Sequence, residues 1–454
     1  MPDRGIAMMK LTLNRERVVV VGKTFEDSYW GYMQFPFLYE MADGRIGLSV
    51  HNADDAPHEL SLENKIYFVS EDKGNSWHKA SKEEIELMGT RLPNGDMLKI
   101  YPIGTKPIKG YKESPLHFGN YHIPTDTIPA KESEKEDELP EPLAILTDVF
   151  GSYDRVYLQD TLPSKLCEKR FRFRRLKKGE KKTKEEFSEV DWQYRTVKTY
   201  SPSVIYDESR KEILLDETGL FSCRKIKIAP DGSLWIATYR HVGADPFTGQ
   251  YHGCGCAYFL RSTDDGRSWK LMSWIPYTPD PKNPFAYICD GFFEPSIEFV
   301  GENRVLCLLR TCSVFGGAPE WGPTYMCKSE DGGLNWSKPE YFADRGALPH
   351  LLKLDNGIIL AVITRPGIFV YASADGGETW SDKIEVMTDK DRSKLMNHVP
   401  ERPNFWQWAG SCCNVTIQAI GEDKALIAYS DFYIEDENGI KRKGIKTVVL
   451  TAQR

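Results

Sequence analysis

Four octapeptides in this chain spell one phrase. They are Ser70–Trp77 (SEDKGNSW), Ser262–Trp269 (STDDGRSW), Ser329–Trp336 (SEDGGLNW) and Ser373–Trp380 (SADGGETW). Each reads Ser-x-Asp-x-Gly-x-(Ser/Thr/Asn)-Trp, the composition of a self-anchored turn. The Asp carboxylate accepts hydrogen bonds from turn N–H groups, the Gly permits a left-handed backbone, and the Trp tucks its indole beneath the next strand. Four copies predict repeated β-hairpin modules, and a repeat fixes architecture before any single residue does.

A second repeat runs beside the first. Six times an Asp/Asn/Glu turn precedes an apolar stretch that ends in a polar residue. The copies are Asp43–His51, Asn94–Pro102, Asp231–Arg240, Glu302–Arg310, Asn356–Arg365 and Glu422–Asp431. Each reads as a hairpin feeding an inner strand, so the prediction is an all-β fold, a six-bladed β-propeller. Inner strands are expected near 34–38, 221–228, 293–299, 347–354 and 412–418, with the sixth blade in the 80–160 region. Length alone would fit two or three domains, but a closed repeat holds residues 1–454 in one unit. A charged insertion is expected at about 125–190. Within it, Lys131–Glu138 reads as a solvated loop and Cys167–Glu186 as a long edge hairpin whose Arg and Lys face solvent. The basic hairpin would either rim a cleft or mediate self-association into a homo-oligomer.

Inner-strand ends converge at one mouth of a propeller. The converging positions are His51, Tyr239 or Arg240, Arg310, Arg365, and Ser430 or Asp431. A lone strand-end Arg is ordinarily a surface residue with a local carboxylate partner. Three of them, Arg240, Arg310 and Arg365, at matched positions repel one another unless an anion sits between them. The expectation is therefore a carboxylate-binding mouth.

Composition excludes several alternatives. The net charge of −7 argues against nucleic acid as the main partner. No apolar run is long enough for a transmembrane helix, so no membrane partner is expected. The 10 Cys form no metal-ligand spacing: Cys254 and Cys256 are separated by one residue, and Cys412 and Cys413 are adjacent. They read as buried free thiols, with no metal and no cofactor. Free thiols and the lack of a leader-like N-terminus predict a cytoplasmic protein. The alternative is a secreted or periplasmic protein whose leader has been removed.

These features resemble the sialidase superfamily, six-bladed propellers with Asp-box (BNR) repeats, and the four boxes spread that resemblance over nearly the whole chain. The resemblance implies a glycoside hydrolase with an arginine triad for a substrate carboxylate. Glu294-Pro295-Ser296, followed by Arg310, is similar to the segment bearing a catalytic Glu and the second triad Arg. Arg365, ahead of the fourth box, resembles the third. Where the first triad Arg is expected, this chain has Gln34-Phe35-Pro36. The acid/base Asp maps to Asp54 or Asp55, with His58 and Glu59 close behind. Cys412 falls at the position of the nucleophilic Tyr.

The expected activity is therefore exo-acting hydrolysis of an acidic sugar. Glu294 with Asp54 or Asp55 would be the acid/base pair, and Arg310, Arg365 and Arg240 the anion holders. Gln34, His51, Tyr239 and His350 would line the site, and Trp406 and Trp408 are candidate sugar-stacking faces. Two rivals stand beside this reading. One is a lyase acting on a uronate-containing glycan, with His51, His241 or His350 moving protons. The other is a propeller that binds glycan or protein without turnover.

Overall fold

A computed structural model describes residues 9–24, 32–53, 65–101, 105–107, 122–123, 144–147, 153–158, 170–191, 197–200, 204–207, 212–216, 225–240, 245–248, 250, 252, 254–283, 286, 289, 291–312, 322–365, 367–388 and 414–454. Most of it is strand. A single short helix among the described residues, Lys82–Glu86, starts at a capping box in which Ser81 and Glu84 satisfy each other's backbone N–H groups.

Six groups of antiparallel strands follow one another along the chain. Sheet I holds Gln34–Met41, Ile46–His51, Lys65–Ser70 and His78–Lys79. Sheet II holds Met88–Arg91, Met97–Tyr101, Arg170–Leu176 and Lys184–Asp191. Sheet III holds Lys227–Ile228, Leu234–Arg240, Cys256–Ser262 and Ser268–Ile275. Sheet IV holds Gly291–Phe299, Val305–Cys312, Thr324–Ser329 and Glu340–Ala343. Sheet V holds His350–Lys353, Ile359–Thr364, Ile368–Ser373 and Ile384–Met387.

Sheet VI combines the two ends of the chain. Val415–Gly421, Lys424–Glu435 and Lys441–Gln453 are joined by Lys10–Leu13 and Arg17–Thr24, both antiparallel to Lys441–Gln453. Edge pairings join sheets I, II and III into one hydrogen-bonded run. Two small sheets lie between the second and third strands of sheet II and beyond it, built from segments between Thr105 and Asp216.

The core consists of clusters between consecutive sheets. Tyr39, Met41 and Met88 pack between I and II, and Leu98, Phe173 and Tyr258 between II and III. Trp235, Phe259 and Phe292 pack between III and IV, and Leu306, Leu308 and Ile363 between IV and V. Val362, Val415 and Ile427 pack between V and VI. Leu38, Leu48 and Leu426 then join VI back to I. Strand periodicity explains the division. In Val305–Cys312, Val305, Cys307 and Leu309 face sheet III, whereas Leu306 and Leu308 face sheet V. A strand covered on both faces must be apolar at every position.

That observation corrects the expectation about the second repeat. Its apolar stretches are the second strands of the sheets, not the first ones. The first strands of neighbouring sheets touch one another. Ser296 Oγ accepts the Leu351 N–H at 3.0 Å, and Thr416 Oγ1 accepts the Leu38 N–H at 3.5 Å. The first strands observed at Gln34–Met41, Lys227–Ile228, Gly291–Phe299, His350–Lys353 and Val415–Gly421 lie where inner strands were expected. The basic segment also needs correction. Arg170–Leu176 is an interior strand of sheet II, paired on both sides, with Phe173 and Arg175 buried. Arg175 sits there because Glu186 (2.7 Å) and the Asp265 carbonyl (2.7 Å) receive its guanidinium.

The octapeptide turns share one hydrogen-bond scheme. In the first, Ser70 Oγ accepts the Gly74 N–H at 2.7 Å, and Asp72 accepts the Ser76 N–H at 2.8 Å and its hydroxyl at 2.6 Å. Asp264 and Asp375 do the same for Ser268 and Thr379, and Asp331 accepts the Asn335 backbone N–H and its side-chain amide N–H. The glycines adopt the positive φ of the turn, and each also abuts the sheet before it. A Cβ on Gly74 would meet Leu426, and one on Gly266 would meet Leu98. Gly333 and Gly377 abut Trp235 and Leu306 in the same way. All four neighbours are second-strand residues, of sheets VI, II, III and IV. The indoles differ: Trp269 is fully buried, whereas Trp77, Trp336 and Trp380 are half-buried.

Candidate functional site

Three first strands begin with the same local distortion. Phe35, Glu294 and Leu348 have φ of 47°, 48° and 46°, and each precedes a proline. Left-handed backbone costs a non-glycine residue roughly 1–2 kcal/mol. In sheets I and IV the ladder registers shift there, between Gln34 and Phe37 and between Phe293 and Ser296. Such bulges re-aim side chains, and a proline is tolerated because the ladder is already broken.

In sheet IV the re-aimed side chain is Glu294. Its Oε1 lies 3.0 Å from Arg310 Nη1, and its Oε2 accepts the Leu348 N–H at 2.6 Å. Arg310 is placed by the next strand, where it is the cross-strand partner of Phe293. Both side chains are largely buried, at 13% and 9% exposure for Glu294 and Arg310.

Arg365 comes into the same neighbourhood through the backbone. The Ala347 N–H donates to the Thr364 carbonyl at 3.1 Å, so the residue after Thr364 emerges beside the Leu348 bulge. Arg365 itself is left-handed, with φ of 52°, and buried. Tyr239 approaches from sheet III with its ring edge-on to Phe293, centroids 5.5 Å apart. Arg240 ends the strand Leu234–Arg240 opposite Cys256, and its side chain lies outside the described residues.

Gln34 and His51 are cross-strand partners in sheet I and are buried, with 0% and 1% exposure. They back this end of the sheet and do not present a surface. Neither polar atom of the Gln34 amide has a hydrogen-bond partner among the described residues, and the same holds for the buried amide of Asn414, at the head of sheet VI. His350 is committed to a structural bond, its Nε2–H donating to the Val415 carbonyl at 2.7 Å across sheets V and VI. Asp431, the sixth strand-end position, is buried against Lys446 at 3.0 Å. Asp54, Asp55, His58, Glu59, His241, Trp406, Trp408 and Cys412 lie outside the described residues.

Neither a protein-family model nor a curated protein sequence matches this chain. Among solved structures, a NanB sialidase from Streptococcus pneumoniae is similar at 10% identity and a TM-score of 0.47, covering 96% of this chain and 70% of that one. An α-L-arabinanase from Penicillium chrysogenum is similar at 11% identity and a TM-score of 0.44, with coverages of 96% and 98%. An α-L-arabinofuranosidase from Fusarium graminearum follows at 14% identity, a TM-score of 0.43 and coverages of 96% and 97%. At that distance a similar chain course says nothing about shared chemistry.

Sequence reasoning singled out Glu294, Arg310 and Arg365 but missed Leu348, whose N–H holds the second carboxylate oxygen. The signal was available: Phe35-Pro36, Glu294-Pro295 and Leu348-Pro349 each stand at the head of a first strand. Among the described residues Cys256, Cys307 and Cys327 are buried free thiols. Burial pushes the Cys256, Cys307 and Cys327 thiols up, so they stay protonated and unreactive.

Proposed function

We propose that the chain is a six-bladed β-propeller whose mouth, at the heads of the first strands, binds and hydrolyses a sugar carrying a carboxylate. The cyclic succession of core clusters, with sheet VI packing back on sheet I, supports the closed ring. The docking of the four octapeptide glycines on second strands of the preceding sheets supports a regular blade-to-blade spacing at four of the six positions. On this reading the turns are Asp boxes and the chemistry is sialidase-like.

The observation that carries the functional reading is the Arg310–Glu294–Leu348 constellation beside Arg365. One carboxylate against two guanidinium groups leaves a net positive charge, suited to an anionic substrate group. Arg310 and Arg365 hold that anion, and Arg240 extends the wall. Glu294, held between Arg310 and the Leu348 N–H, acts as the base or fixes the Arg310 fork. The proton donor is then Asp54 or Asp55. A chain with Gln34 in place of one arginine and Cys412 in place of the tyrosine should turn over ordinary sialosides weakly or not at all.

One observation favours a second reading. Both Glu294 oxygens are already occupied, as in a carboxylate that merely positions an arginine, and this fits a glycan-binding mouth without turnover. A panel of fluorogenic sialosides, uronides and neutral arabinosides, followed by a screen of acidic glycans for released reducing ends, separates the readings. The hydrolase reading expects release from an acidic glycan, reduced about 10²-fold or more in Glu294→Gln. Binding of acidic glycans without any product supports the second reading. Preference for a neutral glycoside overturns the anion assignment.

A further inference from the structure

Two lysines of one segment reach the first strands of other sheets. Lys225 Nζ donates to Gln418 Oε1 of sheet VI at 2.8 Å and stands 5.8 Å from the Phe37 ring centroid of sheet I. Lys227 Nζ lies 2.5 Å from Glu298 Oε2 of sheet IV and donates to the Leu351 carbonyl of sheet V at 3.3 Å. From the head of sheet III the pair therefore touches the first strands of four other sheets.

Their charges are treated differently. Glu298 is taken by Lys227, and Glu40, whose charge acts on Lys225, is held by Arg91 at 2.5 Å. Lys225 has an amide oxygen and an aromatic face as its contacts and no carboxylate among the described residues. A half-buried ammonium without a counter-ion is costly, whereas the neutral amine is not. A donated N–H to Gln418 leaves the nitrogen lone pair unengaged.

We propose that Lys225 is a reactive amine site that takes an aldehyde or ketone as an imine, set among the first strands and independent of the mouth's chemistry. The Lys225 nitrogen attacks the carbonyl carbon, forming a C–N bond. The carbonyl oxygen then leaves as water with the two amine protons, and the C=N bond closes without oxidant or reductant. A desolvated lysine beside a second cation is the environment in which a lysine becomes nucleophilic near neutrality. Burial here, reinforced by Lys227 and opposed by Glu40, brings the Lys225 amine down to about 7.

The test labels the full chain with glycolaldehyde and cyanoborohydride at pH 6 to 9, reading each lysine by peptide mass spectrometry. At pH 7, Lys225 is expected to label about tenfold or more faster than the exposed Lys178 and Lys282, with a half-maximal rate near pH 7. In Lys227→Met the half-point should move to higher pH, because the repelling charge is gone and Glu298 is released. Labelling no faster than at the exposed lysines, or a half-point near pH 10, overturns the proposal. An unmoved half-point in Lys227→Met overturns the paired-lysine account of it.

Discussion

Replacing Glu294 by Gln tests the constellation through stability, whatever the substrate proves to be. Gln keeps the shape, and its amide oxygen can still accept the Leu348 N–H bonded at 2.6 Å. What disappears is the charge opposite Arg310, at 3.0 Å and with both side chains largely buried. Removing one partner of a buried pair costs about 3–5 kcal/mol, and the retained acceptor offsets about 1 kcal/mol of that. The expected loss is therefore about 2–4 kcal/mol. Glu294→Gly separates the backbone from the charge. It also strands Arg310, but a glycine at φ of 48° releases about 1 kcal/mol of strain. The glycine gives up the acceptor for Leu348, so the two variants should unfold within about 1 kcal/mol of each other. The assay is urea unfolding followed by tryptophan fluorescence, with the midpoint shift multiplied by the common slope. A Glu294→Gln midpoint equivalent to less than about 0.5 kcal/mol would refute the claim that Arg310 depends on this carboxylate.

Gly377→Ala should cost about 2–4 kcal/mol, since its Cβ would lie 2.5 Å from the buried Leu306 Cδ1 at φ of +89°. Gly332→Ala, at φ of +76° with open space around it, should cost about 1 kcal/mol, and equal thermal shifts would refute the docking argument. The turn aspartates predict acid sensitivity. Hydrogen bonds from Ser76 lower Asp72. In Asp264, Asp331 and Asp375 burial pushes upward but is outweighed by Ser268, Asn335 and Thr379. Depressed folded values give stability that is present above the unfolded value of about 3.9 and lost as pH falls through the folded values. Unfolding midpoints should thus be level above about pH 5 and fall below it, and a midpoint that rises on acidification would contradict this. Arg365→Ala should raise KM by about tenfold or more with kcat nearly kept, and a matching loss in kcat instead places its contact in the transition state. Cys412→Ala should retain whatever activity the wild type shows, and complete loss with the fold intact would reject the roles assigned.

Local sequence determined the modules. Ser-x-Asp-x-Gly-x-(Ser/Thr/Asn)-Trp specifies a turn because every partner lies within four residues, as with Asp72 and Ser76. The apolar repeat was legible as strand, and the first-strand positions followed from what preceded it. Its rank within each sheet was not legible, because being covered on both faces is a property of neighbours: Leu306 and Cys307 look alike in sequence and face different sheets. Arg310 and Arg365 could be picked out as charged residues at matched positions, and Glu294 through the resemblance of its Glu-Pro-Ser segment. Only tertiary structure decided that Glu294 would be turned by a left-handed bulge onto Arg310 and onto the backbone of a strand 54 residues away. The closing of sheet VI by Lys10–Leu13 and Arg17–Thr24, and the gathering of four sheets around Lys225 and Lys227, were decided in the same way. Hydrogen bonds between strands at opposite ends of a chain leave no local pattern, since each strand supplies half of the pairing and carries no record of its partner.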